Sequence, residues 1–262
     1  MAEVFSHDPG RFCWFELATP DPEVAKDFYR GLFGWTAVDT PAGSGRTYTL
    51  LKLHGQDVAA LYELDSAQSA QGVPTHWLSY VAVAEVAPVV NRCRELGGVV
   101  LVDPLPVKDL GCLAILADPE GAPFALWQAR SHIGASRLNE PGAVCWNELA
   151  TYDAPDARRF YQGLFGWQAD VKNLGQGEYT EWSHGAYPAA GMYQLDEETA
   201  EEPPHWTVYF SVGSCDQAAA RADQLGGRVI SPPANIPGVG RFAALQDPLG
   251  ASFSVIQLET LN

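Results

Sequence analysis

CWFELAT (13–19) followed by FYRGLFGW (28–35) returns in the same chain as CWNELAT (145–151) followed by FYQGLFGW (160–167), displaced by 132 residues. Later landmarks also recur, displaced by 129 residues: the dipeptide HW, the segments ELGG and QLGG, and the segments DPEG and DPLG. A colinear repeat over nearly the whole length is the signature of a duplicated structural unit. The sequence therefore predicts two tandem copies of one domain.

Composition limits the classes of function. The chain has 262 residues, of which 47% are hydrophobic and 18% charged, which is enough for two buried cores. The formal net charge of −16 would repel nucleic acid and anionic lipid, so we expect neither as a partner. The N-terminus lacks a basic segment followed by an apolar run, and no stretch of eighteen apolar residues occurs, which predicts a cytoplasmic protein.

The five cysteines are odd in number and have no CxxC spacing. This argues against both a disulfide framework and a structural zinc site. We expect reduced, partly buried thiols.

Within the first copy, residues 12–18 are predicted to form a strand, and a helix is predicted to begin after the N-cap Asp21, with Pro22 at its first position. One helix face would carry Val24, Phe28 and Leu32.

A second helix is predicted to end where Gly97 takes the left-handed conformation, and a turn is predicted at 118–121. The order is β-α-β-β-β, twice in each copy, with Asp153 as the corresponding cap and Gly226 as the later stop in the second copy. The other predicted elements of the first copy are strands near 46–53, 57–63, 76–83, 112–117 and 123–128 and a helix at 85–96.

The strand followed by FY-x-x-x-FGW, the helix ending in LGG and the DPxG turn, in this order and twice, resemble the vicinal oxygen chelate (VOC) superfamily. Within this superfamily, the chain resembles the tandem two-domain glyoxalase and bleomycin-resistance-like proteins of actinobacteria. The resemblance implies an α+β fold of two tandem VOC domains, each a pair of βαβββ motifs that form a curved mixed sheet around a cup. We expect the first domain at 1–131, a linker at 132–142 and the second domain at 143–262.

Members of this superfamily that use a metal carry His, Gln or Glu at matched points on four strands. Alignment of the motifs places Trp14, Leu78 and Ala125 at three of these points in the first copy and Leu61 near the fourth. An indole N–H offers no lone pair to a metal. The resemblance therefore predicts no metal and no other cofactor, with a divalent metal as the alternative. The second copy has Trp146, Thr207, Ser254 and, near the fourth point, Met192.

Strand alternation places further side chains in each cup. If Trp14 faces the cavity, so does Glu16, and His76, Leu78 and Tyr80 share a face on a later strand. A Glu and a His that converge in an apolar pocket could exchange protons with a ligand, but structural roles are favoured for both residues. The corresponding set in the second copy is Trp146, Glu148, His205, Thr207 and Tyr209.

The two copies differ in polarity. Asn147 of the second copy stands where the first has Phe15, and Arg241 and His184 also occur only there, so the second copy is the favoured place for chemistry. The aromatic residues of the FGW motifs are expected to be core anchors. The predicted ligand-binding residues are Trp14, Trp146, Asn147, Leu78, Tyr80, Thr207, Tyr209 and Ser254.

Three functions are compatible with these features. The favoured one is metal-free binding of a small, partly apolar or aromatic metabolite. The alternative is an enzyme of the lyase, isomerase or oxygenase type that uses the Glu/His pairs or a divalent metal. A protein-interaction module is the third. The duplication further suggests a monomer with an internal pseudo-dimer, or a weak homodimer.

Overall fold

The structure is a computed structural model that describes residues 3–43, 45–70, 72–173, 177–196 and 202–259. Module 1 contains β1 (Phe12–Thr19), α1 (Pro22–Phe33), β2 (Thr36–Gly43), β3 (Arg46–Leu53), β4 (Gln56–Glu63), α2 (Ser66–Ala70), β5 (His76–Ala82), α3 (Val86–Glu95), β6 (Val99–Val107), β7 (Gly111–Ala117) and β8 (Pro123–Ala129). Module 2 contains β9 (Val144–Thr151), α4 (Ala154–Phe165), β10 (Gln168–Asn173), β11 (Glu178–His184), β12 (Tyr187–Gln194), β13 (His205–Ser211), α5 (Cys215–Gln224), β14 (Arg228–Ile236), β15 (Gly240–Gln246) and β16 (Ser252–Leu258).

Each module forms one eight-stranded mixed sheet. In module 1 the strand order is β2-β3-β4-β1-β5-β8-β7-β6, and in module 2 it is β10-β11-β12-β9-β13-β16-β15-β14. The centre of each sheet therefore joins the first strands of two βαβββ motifs of the same module, β1 with β5 and β9 with β13. The predicted α+β class and the paired βαβββ architecture are confirmed. Each cup lies within one module.

Helix caps follow the predicted chemistry. The side chain of Asp21 accepts hydrogen bonds from the backbone N–H groups of Glu23 and Val24, and Asp153 accepts one from Asp156. Gly97 and Gly226 have φ of 89° and 86°, the left-handed conformation predicted for them. The longest helices have 12 residues, and no helix in the described ranges is long and apolar enough to cross a membrane.

The predicted buried face of α1 is partly wrong. Val24 is 39% exposed, whereas Ala25, Phe28 and Tyr29 are buried. The reason is that α1 packs on two surfaces at once, its own sheet and helix α5 of module 2, which rotates the buried stripe toward Tyr29.

The family motifs hold the two modules together. The Tyr29 hydroxyl donates to Asp247 Oδ2 (3.1 Å), in the DPLG turn of the other module, and Tyr161 donates to Asp118 Oδ2 (3.0 Å) in the DPEG turn. Trp77 Nε1 in turn donates to the Tyr29 hydroxyl (2.9 Å). These reciprocal contacts are the physical reason why the FY and DPxG motifs occur together in both copies.

The FGW tryptophans are core anchors, as predicted. Trp35 and Trp167 are 1% and 2% exposed. Their indole N–H groups donate to the carbonyls of Gly142 (2.7 Å) and Gly10 (2.8 Å), so each tryptophan fastens the segment that leads into the first strand of the other module.

Candidate functional site

A buried glutamate and two tyrosines form the centre of cup 1, the face of the module 1 sheet opposite the helices. The β1–β5 register places Glu16 beside Leu78 and Trp14 beside Tyr80, so all four side chains share that face. Tyr48, on β3, donates to Glu16 Oε1 (2.5 Å), and Tyr80 donates to Glu16 Oε2. The indole of Trp14 donates to the Tyr48 hydroxyl (2.9 Å).

Cup 2, the corresponding face of module 2, repeats this arrangement. Tyr179 on β11 donates to Glu148 Oε1 (2.9 Å), and Tyr209 donates to Glu148 Oε2 (2.6 Å). Trp146 Nε1 donates to the Tyr179 hydroxyl (3.1 Å). Both oxygens of each glutamate are thus paired with a phenol, which is the compensation that a buried carboxyl group requires.

Burial dominates the electrostatics of both clusters. It raises the pKa of Glu16 and of Glu148, and the tyrosine hydrogen bonds offset this only in part. The pKa values of Tyr80 and Tyr209 also lie well above the ordinary range, because of burial and the nearby carboxylate. The phenols therefore stay protonated and act as donors, and each glutamate takes up a proton more readily than it would in water.

Most of the predicted ligand-binding residues face the cups. Trp14, Leu78 and Tyr80 do so in module 1. In module 2 the same face carries Trp146, Thr207 and Tyr209 from the β9–β13 register, and Ser254, which pairs with Tyr209 and hydrogen-bonds its hydroxyl.

Asn147 does not face cup 2, contrary to our prediction. It alternates with Trp146 and Glu148 along β9 and lies on the opposite face. Its Oδ1 accepts a hydrogen bond from Ser79 of module 1 (2.7 Å), with both side chains buried. Asn147 therefore belongs to the junction between the modules.

The two histidines are the first residues of β5 and β13, opposite Ala18 and Ala150, and do not pair with the glutamates. Nδ1 of His76 is 2.8 Å from the carbonyl oxygen of Pro74, and Nδ1 of His205 is 2.9 Å from that of Pro203. Among the described hydrogen bonds, none joins either imidazole to the glutamate of its cup. A protonated His205 still acts on Glu148 through space and lowers its pKa.

Sequence reasoning missed Tyr48 and Tyr179. Both lie on the second strand of an outer hairpin, and long-range pairing brings them to the glutamates. A signal was present, because the dipeptide Tyr-Thr at 48–49 recurs at 179–180, displaced by 131 residues, which lies between the two displacements of the repeat.

The residues at the strand positions where metal-dependent superfamily members carry ligands do not suit a metal. Trp14 and Leu78 face cup 1 but offer no ligand atom, and Trp14 already donates its only N–H. Leu61 pairs with Leu17, so it faces the helix side, and the cup-facing neighbour is Ala60, which pairs with Glu16. Met192 is displaced in the same way, beside Gly191. Throughout the described ranges, no group of three His, Cys, Asp or Glu side chains is arranged to hold a metal ion.

Two clefts, of about 390 and 840 Å³, lie at the junction of the modules and not in the cups. The first is lined by residues such as Gly10, Phe165 and His184, and the second by residues such as Phe33, Gly142 and Arg221. His184, singled out above as a polar residue of the second copy alone, is the last residue of β11 and packs against Gly10.

Known proteins match both modules. Residues 11–126 match the family model of the Glyoxalase/Bleomycin resistance protein/Dioxygenase superfamily, and residues 143–256 match that of the glyoxalase-like domain. The chain is 40% identical over 247 residues to the Mycobacterium tuberculosis protein named "Putative glyoxylase CFP32", covering 93% of both chains. It is 38% identical over 262 residues to the anthracycline biosynthesis protein DnrV of Streptomyces peucetius, covering 95% of this chain and 94% of that one.

Solved structures share the fold at low identity. The Mn(II)-bound glyoxalase from Novosphingobium aromaticivorans superposes with a TM-score of 0.67 at 16% identity, covering 96% of this chain and 83% of that one. The 2,3-dioxygenase LapB from Pseudomonas sp. KL28 superposes with a TM-score of 0.62 at 13% identity, covering 99% of this chain and 94% of that one.

Proposed function

We propose that this chain, which belongs to the Glyoxalase/Bleomycin resistance protein/Dioxygenase superfamily, binds a small, partly apolar or aromatic metabolite in a cup that contains no metal. The observation that carries the proposal is the Glu148–Tyr179–Tyr209–Trp146 cluster. Trp146 stands at a position where the family resemblance places a metal ligand, and the polar atoms of the cluster satisfy one another. The surface that remains for a ligand is aromatic.

The name of one relative, an anthracycline biosynthesis protein, fits a flat, fused-ring aromatic ligand. The charge of the protein narrows the class of expected ligands further. Glu148 lies in the wall of cup 2, and the whole chain carries a formal charge of −16, so an anionic ligand would be repelled. An uncharged aromatic molecule meets both conditions.

Calorimetric titration with 2-naphthol and 2-naphthoate, which share ring size and differ in charge, tests this proposal. We expect 2-naphthol to bind at least about tenfold more tightly, a difference of about 1.4 kcal/mol. Neutralising the carboxylate in Glu148→Gln should reduce that preference. Glu178→Gln, which changes an exposed glutamate next to Tyr179, should keep it.

Elemental analysis after dialysis against a chelator completes the test. A stoichiometric metal that survives dialysis and is needed for binding would refute the metal-free cup. Equal affinity for the two naphthalenes, or no affinity for either, would refute the ligand class.

A second candidate function is proton transfer by Glu148. The raised pKa of this carboxyl group, with His205 close enough to influence it, favours an acid–base role. Both carboxyl oxygens are bonded to tyrosines, so a substrate would first have to displace one phenol. Exchange of a carbon-bound proton of an added hydroxyketone with deuterated solvent, abolished by Glu148→Gln, would support catalysis.

A further inference from the structure

We propose that cup 1 is filled by the protein itself, with His132 occupying the place of a ligand ring, so that the chain binds one uncharged planar aromatic ligand, in cup 2. This inference rests on the proposed function, because it assigns the site and the number of ligands. The observation behind it is the course of the segment at residues 130–143 that connects β8 to β9.

The imidazole of His132 lies against the tryptophans of cup 1. Its centroid is 4.7 Å from that of Trp14, with an interplanar angle of 81°, and 6.0 Å from that of Trp127, also at 81°. Edge-to-face contact at these distances is the favoured geometry for aromatic pairs. Trp127 Nε1 donates to the backbone carbonyl of His132 (2.8 Å), which fixes the segment at this point.

Further backbone bonds hold the segment against the sheet. The N–H of Ala135 donates to the Cys13 carbonyl (2.7 Å), and that of Ser136 donates to the Asp57 carbonyl (2.7 Å). Gly134 approaches β1 so closely that a Cβ there would lie 2.3 Å from the Cys13 carbonyl oxygen. The segment is therefore built into cup 1.

Cup 2 has no such cover in the described part of the chain. Trp14 is 3% exposed, whereas Trp146 is only half-buried and has no described ring contact. Ile256 replaces Trp127, so the indole that fastens the His132 carbonyl has no counterpart. The aromatic wall that His132 covers in module 1 is available to a ligand in module 2.

The neutral, planar imidazole ring of His132 indicates the class of ligand that cup 2 binds. Burial lowers the pKa of this imidazole, so a neutral planar ring occupies cup 1 at neutral pH. The two cups share the Trp–Tyr–Glu–Tyr cluster, so a ring placed on Trp146 as His132 is placed on Trp14 would lie beside Tyr179 and Glu148.

Chemical rescue tests the occupancy of cup 1 independently of any natural ligand. His132→Ala removes the ring and leaves a cavity next to Trp14. We expect free imidazole at millimolar concentration to raise the melting temperature of this variant and not that of the wild type. His54→Asn, which changes an exposed histidine in the β3–β4 turn, should show no rescue.

Stoichiometry and site assignment complete the test. Calorimetry with 2-naphthol should give one site per wild-type chain and two per His132→Ala chain. All eight tryptophans can be replaced by 5-fluorotryptophan, and the ¹⁹F resonances of Trp14 and Trp146 can be assigned with the variants Trp14→Phe and Trp146→Phe. In the wild type, 2-naphthol should shift the resonance of Trp146 and not that of Trp14. The fluorine experiment needs only the wild-type fold, so it decides the question even if His132→Ala does not fold.

Two wild-type sites of similar affinity, or a ligand-induced shift at Trp14, would overturn the inference and leave the proposed function intact. A folded His132→Ala that shows neither rescue nor a second site would also overturn it. No binding of 2-naphthol to the wild type, together with imidazole rescue of His132→Ala, would instead refute the proposed ligand class and uphold the closure of cup 1.

Discussion

Gly191 on β12 is the residue whose substitution tests the geometry of cup 2 most directly. It pairs with Glu148 on one side and with Glu181 on the other. A Cβ at this position would lie 1.8 Å from the Tyr179 hydroxyl oxygen and 2.8 Å from Trp146 Nε1. Gly191→Ala therefore introduces a methyl group at the point where the tyrosine and the indole meet.

The displacement and its cost can be worked from these distances. Ordinary contact with a Cβ begins near 3.4 Å, so the Tyr179 hydroxyl must move by at least about 1.6 Å. Its 2.9 Å bond to Glu148 and the 3.1 Å bond from Trp146 cannot both survive. Losing a hydrogen bond to a charged group costs about 1.5–3 kcal/mol. Alanine is better than glycine in a regular element by about 0.5–1 kcal/mol, so a net loss of about 0.5–2.5 kcal/mol is expected.

Two measurements check this prediction. Urea unfolding gives the change in free energy, with Gly213→Ala as the matched control, because a Cβ at Gly213 meets no atom within 4 Å. A carbon-13 NMR titration of the Glu148 carboxyl group gives its pKa. This pKa should rise further in Gly191→Ala, because the variant loses a donor that stabilises the carboxylate.

An unchanged stability together with an unchanged titration of Glu148 would refute the reasoning. It would mean that cup 2 adopts the arrangement of cup 1, where Ala60 occupies the corresponding position beside Glu16 while Tyr48 still donates to the carboxylate.

Three further predictions concern stability. Tyr29→Phe should cost about 1–3 kcal/mol in urea unfolding, because it leaves the buried N–H of Trp77 without its acceptor and removes a bond between modules; an unaltered unfolding midpoint would contradict this. The pKa of Glu16 is raised in the folded state. The stability that Glu16 contributes is therefore complete below its pKa in the unfolded chain, and it is lost as the pH rises through its pKa in the folded protein. Glu16→Gln should accordingly gain stability relative to wild type as the pH rises above about 4.3, the ordinary pKa of an unfolded glutamate, and a difference that does not vary with pH would refute the assignment. Asp21→Ala should cost about 1 kcal/mol by thermal or urea unfolding, at least as much as Asp153→Ala, because Asp21 caps two N–H groups and Asp153 one; the reverse order would contradict the cap geometry.

The repeat itself allowed most of the fold to be predicted. Strand β3 was predicted at its observed bounds, and the caps at Asp21 and Asp153 were correct, because capping and alternation depend on neighbours in the chain. Val24 was assigned to the wrong face, since the second surface that α1 packs against comes from the other module.

The candidate site was only partly predictable, because some of its contacts join segments that lie far apart in the chain. Trp146 and Glu148 follow from alternation along a single strand. Tyr179 reaches Glu148 only because β11 pairs with β12 and β12 with β9, a chain of contacts between distant segments. Asn147 looked like a polar cup residue in the sequence, but the register turns it toward Ser79 of the other module.

The sequence by itself determined that this protein is a duplicated module with the element order β-α-β-β-β, because repeated caps, turns and hydrophobic patterns admit few other arrangements. The curved sheet around a cup was implied by the family resemblance. The tertiary structure alone decided that, among the described residues, the chain itself covers cup 1 and leaves cup 2 uncovered. The cause is the connecting segment, which carries His132 onto Trp14 and leaves the Trp146 side chain without a ring partner among the described residues. Nothing in the local pattern of residues 130–143 predicts this course, since it depends on backbone amides that bond to carbonyls more than seventy residues away.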